Sequence, residues 1–124
     1  MTTISEGSCL CGAVAFEVQA PLDDVLHCHC CMCQKGHGAV YATFVKVPHT
    51  AFWLTRGADE VMTYRSSDAA CRTFCRNCGS TLQFVRDERA DFCLAVSALD
   101  TPLSETSIRE IYTDSKTDWL TRTG

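Results

Sequence analysis

The stretch Cys28-His29-Cys30-Cys31-Met32-Cys33 places four cysteines and a histidine within six residues. Neighbouring cysteines rarely reach the geometry of an unstrained disulfide, and a disulfide framework normally spreads its cysteines along the chain. The cluster therefore indicates metal or redox chemistry. A tight turn can bring the sulfurs of Cys28, Cys30 and Cys33 to one point, and soft thiolates suit zinc. Because three protein ligands leave a fourth position open, we predict a catalytic zinc site on these three cysteines.

Two further cysteine pairs supply a second set of ligands. Cys9 and Cys11 precede the segment 13–19, whose alternating apolar residues predict a half-buried strand. Cys75 and Cys78 form a C-x-x-C pair followed by glycine, which is typical of a zinc knuckle. Four thiolates from two distant loops match a closed, structural zinc site. The alternatives are that the first pair fills apolar space, or that the second is a redox pair, although a redox pair expects a βαβ setting.

The rest of the chain predicts a mainly β fold with little helix. Segments rich in β-branched and aromatic residues, separated by turns, are typical of strands. We predict strands at 39–47 (stopped by Pro48), 51–54, 60–65, 81–85, 91–96 and 108–112. The polar segment 34–38 shows no strand pattern, and we predict a flexible loop there that could close over the open zinc position. A length of 124 residues fits a single domain, 1–124.

Composition and charge limit the function classes. Eleven Lys and Arg against fifteen Asp and Glu give a net charge of −4, which disfavours a nucleic-acid partner. No apolar stretch approaches the roughly 18 residues of a membrane span, so no membrane partner is predicted. Residues 1–6 show neither a basic region nor an apolar run typical of a signal peptide, so the ten cysteines are expected in a reducing cytoplasm.

Two histidines and a cysteine near the central cluster have alternative interpretations. His29 lies between two predicted ligands and, in a strand, points away from them, which favours a supporting or packing role over ligation. His37, on the predicted mobile loop, is a candidate general acid or base, although a solvent-exposed histidine is the favoured interpretation. Cys31 is either a spare thiol able to form a mixed disulfide or a filler.

Three motifs together resemble one known family. Gly7-Ser8-Cys9-Leu10-Cys11-Gly12, Cys28 to Lys35 and Phe74 to Ser80 occur in the order and approximate spacing of the glutathione-dependent formaldehyde-activating enzyme family, which includes centromere protein V. The likeness extends to 64–67, 97–100, 111–112, 115–116 and 119. It therefore covers nearly the whole chain. One departure is Glu110, because a histidine is common in the family before that strand's apolar pair.

The resemblance implies a small zinc-binding tent of packed antiparallel β-sheets. It implies a structural zinc on Cys9, Cys11, Cys75 and Cys78, and a second, catalytic zinc on Cys28, Cys30 and Cys33. The activity implied is that of a carbon–sulfur lyase that forms or cleaves S-(hydroxymethyl)glutathione, with glutathione and an aldehyde such as formaldehyde as small-molecule partners.

The sequence also suggests roles for several residues outside the predicted zinc ligands. Lys35, Arg72 and Arg76 are candidates to bind the carboxylates of an anionic tripeptide. Cys93 lies in an apolar strand and is expected to be an ordinary buried residue, and a structural role is also favoured for Cys71.

Three function classes are consistent with the sequence. In the enzyme, the second zinc binds the incoming thiol or acts as a Lewis acid on the aldehyde, and three thiolate charges favour thiol binding. The second class is a zinc-stabilised interaction module without catalysis. The third is a thiol or zinc redox sensor, which would release zinc on oxidation. The enzyme is the favoured class.

Overall fold

A computed structural model describes residues 3–120 and 122 of the chain, and this part is mainly β. Its strands and single α-helix are β1 Ser5–Ser8, β2 Ala15–Val18, β3 Val25–Cys28, α1 Cys31–His37, β4 Ala42–Pro48, β5 Phe52–Arg56, β6 Val61–Ser67, β7 Ala70–Cys75, β8 Thr81–Arg86, β9 Asp91–Ala95 and β10 Ile108–Ile111. Within this part, no helix is long and apolar enough to cross a bilayer.

The strands form two sheets. The small sheet has the order β1-β2-β5, and the large sheet has the order β10-β3-β4-β9-β8-β7-β6. Strand pairs are antiparallel except for β10 and β3, which run parallel. The predicted architecture of packed, mainly antiparallel sheets with little helix is confirmed, with this one parallel pair at the edge of the large sheet.

The main hydrophobic core lies between the two sheets. Val14, Phe16 and Val18 alternate along the small sheet and are buried, as their sequence pattern predicted. They pack with residues of one face of the large sheet, among them Val45 and Leu94. Burying each such side chain contributes about 1.5–3 kcal/mol, so this core holds the sheets together.

The opposite face of the large sheet carries a second, smaller core. Leu26, Cys28 and Phe44 are buried here, and Cys33 from α1 packs against them. Residues that pair directly across neighbouring strands point to the same face. The pairing of Leu26 with Phe44 therefore places the end of β3, and with it the cysteine cluster, on this face.

The prediction of a flexible loop at 34–38 is wrong. Residues 34–37 belong to α1, which begins at Cys31 and ends at His37. Gly38 caps its C-terminus in the left-handed conformation (φ 60°), and the Gly38 amide donates to the carbonyl of Gln34. The sequence shows no helical periodicity because α1 has only seven residues and buries only Cys33. Strand β4 also begins three residues later than predicted, since Ala39 still donates to Gln34 as part of the helix end.

Candidate functional site

The sulfurs of Cys9, Cys11, Cys75 and Cys78 converge where the two sheets meet. All four ligand atoms lie within 4.8 Å of one another. The Sγ–Sγ distances are 3.6 Å from Cys9 to Cys11 and 3.8 Å from Cys11 to Cys75. The first pair comes from the loop between β1 and β2, and the second from the end of β7, so the cluster joins the small sheet to the large one.

Two matching turns build this cluster. The amide of Gly12 donates to the carbonyl of Cys9 (3.1 Å), and the amide of Gly79 donates to that of Cys75 (2.7 Å). Both glycines have φ near 80°, a conformation that residues with a Cβ rarely adopt. The pKa of the Cys78 thiol is lowered to about 5, mainly by the hydrogen bond from the Ser80 hydroxyl and to a smaller extent by the hydrogen bond from the Ser80 amide.

The geometry of the four sulfurs fits a zinc ion. A tetrahedral site with Zn–S distances of about 2.3 Å separates its sulfurs by about 3.8 Å. The two distances above are close to this value, and four thiols with no other donor form a closed ligand set. This cluster could therefore hold a metal ion of the structural kind.

The second cluster consists of Cys28, Cys30 and Cys33, whose ligand atoms also lie within 4.8 Å of one another. Cys28 ends β3, Cys30 caps α1, and Cys33 lies in the first turn of the helix. The Cys30 sulfur accepts a hydrogen bond from the Cys33 amide (3.3 Å), as a serine or aspartate does at a helix N-cap. The strand-to-helix turn thus assembles three sulfurs and leaves one side of them to the pocket described below.

Hydrogen bonds tune the thiols of this second cluster. The hydrogen bond from Cys33 lowers the pKa of Cys28, and the same bond raises the pKa of Cys33. The guanidinium of Arg72 lies 3.6 and 3.7 Å from the Cys33 sulfur through its two Nη atoms. A positive charge at this distance favours thiolates, which are the form that binds metal.

A pocket of about 710 Å³ opens over the second cluster. Its volume falls within the range of about 300–1,000 Å³ typical of small-molecule sites. The helix, the ends of β3 and β10, and one face of β4, β9, β8 and β7 form its walls. It is lined by Leu26, Cys28, Cys30, Cys31, Met32, Cys33, Phe44, Lys46, Ser66, Ser67, Ala70, Arg72, Phe84, Arg86, Arg89, Asp91, Phe92, Cys93, Ile111, Tyr112 and Ser115.

The C-terminal strand fixes the position of the cysteine turn. The buried His29 ring (1% exposed) donates from Nε2 to Glu110 (2.8 Å), so the histidine points away from the three sulfurs. The His29 amide donates to the carbonyl of Ile111 (3.1 Å). The side-chain amide of Gln34 donates to the carbonyls of His29 (2.7 Å) and Ser115 (2.9 Å). Glu110, noted above as a departure from the family pattern, thus serves as the partner of His29.

His37 does not lie on an exposed loop, and that expectation is wrong. It belongs to the last turn of α1, packs edge-on against Phe44 with ring centroids 5.1 Å apart, and is half-buried. Its Nε2 has no hydrogen-bond partner among the described residues. Burial, together with the charge of Arg72, lowers the pKa of His37 to about 4. His37 is absent from the lining of the pocket over the cysteines.

The three basic residues predicted to bind carboxylates do not lie together in the structure. Arg72 lines the pocket, whereas Lys35 and Arg76 do not, and Arg76 is bound to Glu60 (2.7 Å) on the surface. Cys93 is only partly buried, although burial raises the pKa of its thiol, and it lines the pocket.

The three cysteines outside the clusters differ in exposure. Cys31 is exposed at the start of α1, and Cys71 and Cys93 are half-buried on β7 and β9. Sequence reasoning missed the other pocket residues, among them Phe84 and Arg86. Their only signal is that they alternate on β8, which places them on one face but does not say what that face meets.

The chain is similar to a curated protein and to a solved structure, and it matches a family model. Over 84 residues the chain is 33% identical to an uncharacterized lyase of Schizosaccharomyces pombe; the match covers 64% of this chain and 56% of that protein. A crystal structure of a Rhodobacter sphaeroides protein superposes with a TM-score of 0.69 at 25% identity, covering 85% of this chain and 98% of that one. The sequence matches the glutathione-dependent formaldehyde-activating enzyme family over residues 4–115, and the chain belongs to that family.

Proposed function

We infer that this chain is a zinc-dependent carbon–sulfur lyase that acts on the adduct of a thiol, such as glutathione, with an aldehyde such as formaldehyde. In the opposite direction it acts like an S-(hydroxymethyl)glutathione synthase. The observation that carries the proposal is the convergence of Cys28, Cys30 and Cys33 at the wall of a pocket of about 710 Å³. Membership of the family and the name of the yeast relative support a lyase.

The two cysteine clusters have different roles in this proposal. Cys9, Cys11, Cys75 and Cys78 hold a structural zinc, because four sulfurs complete a tetrahedral set. Cys28, Cys30 and Cys33 hold the second zinc and leave a position toward the pocket. When bound there, zinc supplies a Lewis acid that favours a thiolate at neutral pH.

The reaction balances without a further reactant. In cleavage, the carbon–sulfur bond of the hydroxymethyl thioether breaks and its electron pair goes to sulfur. The hydroxyl group loses its proton, the carbonyl double bond forms, and a proton is taken up by the sulfur of the released thiol. Synthesis is the same sequence in reverse, so the protein must bind the thiol, orient it and limit access of water.

The residues around the cluster suit these tasks. Arg72 places a positive charge 3.6 Å from the Cys33 sulfur and balances part of the thiolate charge. Leu26, Phe44, Phe84 and Ile111 supply apolar surface beside the sulfurs. Apolar walls strengthen the electrostatic interactions within a site because they replace water. The chemistry requires reduced thiols and therefore suits a reducing compartment such as the cytoplasm.

Zinc content and turnover, measured on one sample, test the proposal. Protein purified under reducing conditions is expected to carry two zinc ions per chain, one of them more easily removed by chelation, and to consume formaldehyde only when glutathione is present. Cys30→Ser is expected to lower the zinc content by about one and to abolish turnover, because a neutral hydroxyl replaces a thiolate ligand.

Cys71→Ser is the matched control. Cys71 is also half-buried, but it lies on β7 outside both clusters and outside the pocket lining. It is expected to retain both zinc ions and full turnover. A Cys30→Ser protein with full activity would refute the mechanism. Two inert zinc ions without turnover would favour an interaction module, and zinc release on mild oxidation without turnover would favour a redox sensor.

A further inference from the structure

The pocket concentrates the unpaired positive charge of an acidic protein. Five of the eleven lysines and arginines form ion pairs, namely Arg65, Arg76, Arg109, Lys116 and Arg122. The other six form none with the residues that the structure describes. Four of these six line the pocket: Lys46, Arg72, Arg86 and Arg89. Asp91 is the only acidic residue in that lining, although the chain as a whole has a net charge of −4.

The strand register orders these cations relative to the sulfurs. Lys46 pairs with Cys93, Cys93 with Phe84, and Phe84 with Arg72, so the four side chains form one row across β4, β9, β8 and β7. Neighbouring strands are about 4.8 Å apart, so the row spans about 14 Å at the backbone. Arg72, at one end, reaches the Cys33 sulfur and is already engaged there.

Arg86 lies two residues beyond Phe84 on β8 and therefore on the same face. Its guanidinium carbon lies 5.6 Å from the centre of the Phe84 ring, while that of Arg72 lies 4.7 Å from the same ring. The Arg86 Nη2 also donates to the Tyr112 hydroxyl (3.4 Å). Tyr112 adopts a positive φ of 56°, a conformation that is rare for a tyrosine and turns the chain at the edge of the pocket. Two aromatic side chains thus position the Arg86 guanidinium, but no carboxylate among the described residues neutralises its positive charge.

We propose that Arg86 and Lys46 are specificity-determining residues that bind the carboxylates of an anionic thiol whose sulfur is held at the Cys28, Cys30 and Cys33 end of the pocket. The inference rests on the proposed function, since it assigns the part of the substrate distant from the reacting sulfur. An extended tripeptide spans about 10 Å, or about two strand spacings. A thiol whose sulfur lies beside Arg72 can therefore bring a carboxylate to Arg86, one strand away, whereas contact with Lys46, three strands away, also requires the length of the lysine side chain. Guanidinium and ammonium groups recognise carboxylates by charge-assisted hydrogen bonds.

This assignment differs from the one that the sequence suggested. Lys35 and Arg76 are excluded from the pocket lining, and Arg72 is directed at a cysteine sulfur. The pocket should therefore distinguish thiols by charge: a neutral thiol retains the sulfur contact but loses the ion pairs at the other end.

Calorimetric titration of the zinc-loaded protein with glutathione and with glutathione diethyl ester tests the inference. Glutathione carries two carboxylates, and the ester carries none. Arg86→Gln and Lys46→Gln are each expected to raise the Kd for glutathione about tenfold at low salt and to change the Kd for the ester less than twofold. Raising the salt to 0.5 M should weaken glutathione binding to the unaltered protein and leave ester binding nearly unchanged.

Lys35→Gln is the matched control, because Lys35 is an exposed cation outside the pocket lining, without an ion pair among the described residues. It should leave both Kd values unchanged. Near-ultraviolet circular dichroism and zinc content verify that each variant is folded. Because Arg86→Gln and Lys46→Gln are tested separately, the test remains valid if one of them does not fold.

The outcomes separate this inference from the proposed function. Glutathione binding that depends on Arg86 and Lys46, without turnover, would refute the lyase and support the carboxylate site. Turnover with equal Kd values for glutathione and its ester, or variants that weaken both ligands equally, would overturn the carboxylate site and leave the lyase intact.

Discussion

Replacing Cys11 with serine tests whether the first cysteine cluster holds the sheets together through a metal. Cys11 is exposed, so the change leaves no cavity in the core, and any large loss of stability must come from the lost ligand. Its sulfur lies 3.6 Å from that of Cys9 and 3.8 Å from that of Cys75, close to the tetrahedral spacing. We therefore expect Cys11→Ser to carry about one zinc ion fewer per chain.

The magnitude follows from linkage between binding and folding. A ligand present at 100 to 1,000 times its Kd stabilises the folded state by about 2.7–4.1 kcal/mol. In a domain of this size, 1 kcal/mol shifts the Tm by about 3–5 °C. Loss of the zinc is thus expected to lower the Tm by roughly 10–15 °C, because a zinc ion bound by these four sulfurs would link the β1–β2 loop to the end of β7.

Zinc released by a thiol-modifying reagent and scanning calorimetry provide the measurements. Cys31→Ser is the control, since Cys31 is equally exposed but outside both converging groups. It should retain two zinc ions and the original Tm. A Cys11→Ser protein with both zinc ions and an unchanged Tm would refute the assignment of this cluster as a structural metal site.

Two further predictions concern pH. Burial lowers the pKa of His37 to about 4, so the unfolded chain takes up a proton before the folded one and stability is lost as the pH falls from 6.5 toward 4. Replacing His37 with phenylalanine should reduce the stability lost between pH 7 and pH 5 by about 1 kcal/mol, measured by urea unfolding. An unchanged loss would contradict the burial of this ring. The hydrogen bond from His29, with the charge of Lys116, lowers the pKa of Glu110, so its contribution is present above the ordinary carboxyl pKa and disappears as the pH falls through the lowered value. Glu110→Gln should therefore show a smaller drop in unfolding midpoint between pH 6 and pH 3, and an equal drop in both proteins would count against the His29 contact.

The sequence was sufficient for most of the strands, although not for β1, β3 and β7, and for grouping the cysteines. The alternation of Val14, Phe16 and Val18 in the sequence predicts that these three side chains are buried, because side chains on a strand point alternately to opposite faces. The spacing of Cys28, Cys30 and Cys33 is likewise local, and the structure brings these sulfurs together by a turn of six residues. Their role as zinc ligands stays a prediction.

Helix α1 could not be predicted from periodicity. It is held by a local cap at its start, where the Cys30 sulfur accepts from the Cys33 amide, and by Gln34 in its middle, which donates to the carbonyls of His29 and of the distant Ser115. A helix of seven residues contributes too few turns for an apolar stripe to appear in the sequence. The same folding buries His37, which the sequence suggested was exposed.

By itself, then, the sequence determined seven of the ten strands of the described chain, the two cysteine groups and the family; β1, β3 and β7 were not predicted. Only the tertiary structure decided which charges face the sulfurs. Lys46, Arg72 and Arg86 lie on three different strands, and their presence in one pocket depends on the register of β4, β9, β8 and β7. Register arises from the packing of whole strands against both cores, so no local pattern of residues reveals it.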